Sequence, residues 1–114
     1  MSIPKTDAIH SMQVTLQRCQ NLELILRFQE DSTNASLLGA KNKALRKQID
    51  KLIIEAMKDW LEDAQEVTTK IKNANKNLQI SITNVKNKKQ KGENIVKALG
   101  LIDDVISIAT SLLP

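Results

Sequence analysis

The chain has 114 residues and a net charge of +4, with one Cys, one Trp, one Phe, no Tyr, three Gly and two Pro. One domain is the expectation at this length, and the scarcity of turn formers calls for few, long elements. A core drawn from Leu, Ile and Ala argues for helices and against a sheet sandwich, while the lone Cys19 excludes an internal disulfide and a cysteine metal cluster.

Thr6 and Asp7 read as an N-cap and first turn, where a hydroxyl oxygen and a carboxylate meet unpaired N–H groups and the positive end of the helix dipole. Ile9, Met12, Leu16, Cys19, Leu22 and Leu26 then recur at helical spacing, which predicts a first helix over residues 6–30. Leu22, Leu24, Leu26 and Phe28 alternate as a strand would. Only Ile25 among residues 22–28 is β-branched, however, and no nearby segment pairs with it. The crowding therefore reads as a helix end buried on several sides. Residues 1–20 contain no apolar signal segment, and Ser2 rather than Gly follows Met1, so the expected location is the cytoplasm.

Glu30-Asp31-Ser32-Thr33-Asn34 is a polar break rich in cap formers. A long second helix is predicted over residues 36–90, through Leu45, Ile49, Leu52 and Ala56. Met57, Trp60, Ala64, Val67, Ile71, Ala74 and Leu78 then alternate spacings of three and four, the heptad seam of a helix packed lengthwise on others. Ile82 and Val85 continue it. At ~1.5 Å per residue such a helix would reach roughly 70 Å. Asn73, Asn75 and Asn77 mark its weakest stretch, since asparagine lowers helix propensity, and a break near Asn75 would fold the chain into a monomeric bundle instead. Lys86 to Lys91 followed by Gly92 reads as a helix end with Gly as the left-handed cap. A third helix over residues 93–113 is then carried by Ile95, Leu99, Ile102, Ile106, Ala109 and Leu113.

The predicted fold is all-α: an elongated antiparallel bundle of three helices in one domain, residues 1–114, with the long helix central. Helix one covers only the start of that central helix and helix three only its end. The middle of the seam is left for a second copy, giving four-helix packing in a dimer. The seam residues Met57, Trp60, Ala64, Val67, Ile71, Ala74 and Leu78 are thus the predicted interface. The corresponding function is a non-enzymatic assembly module whose partner is itself or another helical protein.

Candidate chemistry is thin. His10 has Asp7 one turn earlier, yet no nucleophile is placed to use the pair. Cys19 sits on the apolar stripe as a small hydrophobe. The carboxylates Asp59, Glu62, Asp63 and Glu66 lack the histidines that a di-iron bundle site requires. No catalytic residue, cofactor or metal is expected. The acidic run 55–66 beside the basic run 68–91 could align two copies head to tail. Lys70, Lys72, Lys76, Lys86, Lys88, Lys89 and Lys91 raise an alternative of weak nucleic-acid binding, against which stands the lack of stacking aromatics. The apolar third helix raises the other alternative, a membrane-active protein, against which stand Lys97, Asp103 and Asp104.

Overall fold

The structure, a computed structural model, describes residues 3–55 and 59–113. It is all-α, with four helices in these residues: α1 (Ile3–Phe28), α2 (Ser32–Ile54), α3 (Ala64–Lys86) and α4 (Lys91–Ser111). The expected long central helix is two helices. They are separated between Ile54 and Ala64, and the bundle extends 43 Å rather than the length of one uninterrupted rod.

The division has a local cause. Asp63 is an N-cap whose carboxylate accepts hydrogen bonds from the backbone N–H groups of Gln65 and Glu66, at 2.9 and 3.1 Å. Such a cap stabilises a helix start by about 1 kcal/mol. Glu66 adds a negative charge to the positive end of the α3 dipole. At the asparagine stretch the helix continues, because Asn75 turns inward and is hydrogen-bonded there.

Two tight turns build two antiparallel hairpins, α1–α2 and α3–α4. In the first, the Glu30 N–H donates to Arg27 O and the Asp31 N–H to Leu26 O; in the second, the Lys88 N–H donates to Val85 O and the Lys89 N–H to Asn84 O. This double bond pattern is the Schellman motif, with Glu30 and Lys88 in the left-handed region at φ 61° and 58°. Gly92, expected as the cap, instead lies in the first turn of α4. Asn94 supports the second turn from inside, donating to the carbonyls of Lys89 and Gln90. Thr6 and Asp7 lie within α1, which starts at Ile3 and carries Pro4 in its first turn, where the missing N–H has no helical partner to lose. Asp31 caps α2 by accepting from the Asn34 N–H.

The hairpins dock side by side with like helices parallel. Thr15 meets Asn75 and Gln29 meets Val85, so α1 and α3 run in the same direction. Lys41 meets Asp103, and Leu52 shares a core cluster with Leu112, so α2 and α4 also run together. Among the described residues the backbones of α2 and α3 make no close approach, so the two helices lie on a diagonal of the bundle. The core has two layers. Met12, Leu45, Ile49, Ile71 and Val105 belong to the layer near the α2–α3 crossing, and Leu22, Leu38, Leu78, Ile82 and Ile102 to the layer near the two turns.

Candidate functional site

The predicted interface residues that lie on α3 fall in one structural role. Val67, Ile71 and Leu78 are buried within this chain, Ala64 and Ala74 are half-buried, and Met57 lies outside the described residues. The seam is the face by which α3 packs into its own bundle. Trp60, in the connection before α3, packs half-buried against the core layer near the α2–α3 crossing, with Lys5 Nζ 5.8 Å from its ring centre. Its Nε1 is buried and has no hydrogen-bond partner among the described residues.

Of the candidate chemistry, His10 is exposed on α1, whereas Cys19 is fully buried and donates its S–H to Leu38 O. They lie in different environments and cannot act on one substrate. Asp63 caps α3, and Glu62 pairs with Lys70 at 3.8 Å. Among the described residues no three His, Cys, Asp or Glu side chains converge in a way that could hold a metal ion. The seven lysines of residues 68–91 do not form one patch. Lys70 pairs with Glu62 and Lys91 with Asp31, while Lys72 and Lys86 stand roughly 20 Å apart along α3.

An open groove of about 820 Å³ lies between the parallel helices α1 and α3. From α1 it is lined by His10, Ser11, Val14 and Arg18. From α3 come the cations Lys72 and Lys76, the amides Asn75 and Gln79, and Ile80 with Thr83. A shallower depression continues it past Arg18 and Gln79 to Asn21 and Leu24. The whole runs roughly 20 Å along α1, the length of a helix of three to four turns.

A polar node forms the floor. Thr15 donates its hydroxyl to Asn75 Oδ1, and Asn75 Nδ2 donates to Ser11 O at 3.0 Å. Thr15 and Asn75 are 0% and 5% exposed, so this exchange is sheltered from water, where losing one partner costs about 1–3 kcal/mol. Arg18 Nη1 reaches across to Asn75 O at 3.0 Å. The node pins α1 to α3 at one register, as buried asparagines do between packed helices. Above it, Val14 is half-buried while Ile80 and Leu24 are 53% and 55% exposed, three apolar side chains on an otherwise polar face.

The groove lies off the buried stripe, so the heptad pattern does not mark it. Its sign in the sequence is the opposite one: Val14, Leu24 and Ile80 are apolar residues outside the stripe. The chain matches no family model, no curated protein sequence and no solved structure.

Proposed function

We propose that the chain is a non-enzymatic interaction module that receives a helical segment of another protein in the groove between α1 and α3. The observation that carries this reading is the groove itself: two parallel helices joined at its floor by a polar node, with Val14, Leu24 and Ile80 presented along about three turns. A helix laid in such a groove is recognised by apolar side chains at i, i+3, i+4 and i+7. The seam face of α3 packs on α1 and α4 of the same chain, which favours the open groove over the seam as the surface offered to a partner. No helix among the described residues is long and apolar enough to cross a membrane.

The test is a paired capture from the source cells, using the wild-type chain and the double variant Val14→Lys/Ile80→Lys. Both side chains stand outside the buried core, so the variant is expected to keep its circular dichroism spectrum and melting transition. A protein retained by wild type and lost by the variant supports the groove. Identical captured sets would sink the reading.

A further inference from the structure

We infer that the segment received in the α1–α3 groove is an acidic amphipathic helix, an inference that rests on the interaction-module reading above. Its basis is charge. Lys72 and Lys76 project from successive turns of α3 along one edge, and Arg18 faces them from α1; no carboxylate lines the groove. Among the described residues Lys72 and Lys76 have no ion-pair partner, whereas Lys41, Lys70, Lys91 and Lys97 each sit within 4 Å of a carboxylate. The cations of this edge are thus available to a visitor.

The apolar points set the second requirement. Val14 and Leu24 are separated by roughly 15 Å along α1, about three helical turns, and Ile80 stands on the opposite wall near Gln79, which lines both parts of the groove. An occupant therefore carries apolar residues on one stripe over three turns, flanked on its α3 side by Asp or Glu. Nucleic acid fits less well. The groove has no Phe, Tyr or Trp ring on which a base could stack, only the His10 imidazole, and Lys86, Lys88 and Lys89 lie toward the far end of the bundle.

Fluorescence anisotropy with labelled synthetic helices tests the inference. Three peptides share leucines at i, i+4, i+7 and i+11 and differ only in flanking residues: all Glu, all Gln or all Lys. The Glu peptide is expected to bind wild type at least about tenfold more tightly than the Lys peptide. The double variant Lys72→Glu/Lys76→Glu should reverse that order, and its dichroism should match wild type because both positions are exposed. Raising NaCl from roughly 50 to 300 mM should weaken the Glu peptide several-fold.

Equal binding of the Gln or Lys peptide, lost in Val14→Lys/Ile80→Lys, would overturn the charge selection while leaving the groove reading intact. If no peptide binds although that apolar variant still loses its cellular partner, the acidic-helix inference fails alone. If the peptides fail and capture is unchanged by the apolar variant, both fall. Displacement of the Glu peptide by poly-uridylate or by phosphatidylglycerol vesicles at matched charge would also overturn the inference, assigning the groove to RNA or to a membrane surface.

Discussion

Burial in the middle of α1 pushes the Cys19 thiol up to about 12, with the nearby Glu23 carboxylate adding to the effect. The reactive species of cysteine is the thiolate, so a raised value leaves this sulfur neutral at physiological pH and unreactive. The S–H is also committed to Leu38 O. A thiol reagent such as iodoacetamide at pH 8 is therefore expected to leave the native chain unlabelled and to modify Cys19 once the chain is unfolded in urea. Labelling of the native protein at the unfolded rate would show that the α1–α2 contact opens readily. Asn75 illustrates the opposite case, a polar side chain kept in the interior because each of its groups has a partner. Its propensity argued for a weak helix, yet its placement strengthens the α1–α3 contact.

The elements end where capping chemistry directs. Lys88 occupies a left-handed conformation that L side chains adopt at an energetic penalty and glycine adopts freely. Lys88→Gly is accordingly expected to stabilise the fold by about 0.5–1 kcal/mol, part of the gain being offset by the greater freedom of glycine in the unfolded chain. Urea unfolding of the two proteins gives the comparison, and a destabilised variant would contradict the strain. Most of the helical content was legible from apolar periodicity, as was the first turn around Glu30 and Asp31. The division of the long helix was not read correctly. Periodicity reports which residues are apolar, and Trp60 and Ala64 keep the phase of the stripe although residues 59–63 are not helical. Asp63 followed three residues later by Glu66 was the available sign of a helix start. For the groove the sequence carried only Val14, Leu24 and Ile80 as apolar residues off the stripe, and their juxtaposition arises where two helices distant in sequence dock in parallel.

Across the whole molecule, one end is closed by the two turns and the other holds the chain crossing. An ion pair, Lys91 to Asp31 at 3.3 Å, ties the turns together. Asp31 titrates below its usual 3.8 because the Asn34 side chain and backbone donate to it, with the Lys91 ammonium contributing further. A lowered folded-state value means that the stabilisation is complete above the unfolded value and disappears as pH falls through the folded one. The difference in Tm between wild type and Asp31→Asn should therefore be steady at neutral pH and shrink in acid below 3.8. At neutral pH it is expected to correspond to no more than about 1 kcal/mol, since the pair is partly exposed. A difference that grew on acidification would show that Asp31 is not acting as an anion.

The crossing end also holds the start of α1 and the finish of α4, where the Leu61 N–H donates to Leu112 O. A load drawn between Ile3 and Leu113 consequently acts across the helix axes and not along them. Under such tension the bundle peels open turn by turn from that end, each step breaking only the contacts at the fork. The contacts nearest the two turns are the last to part.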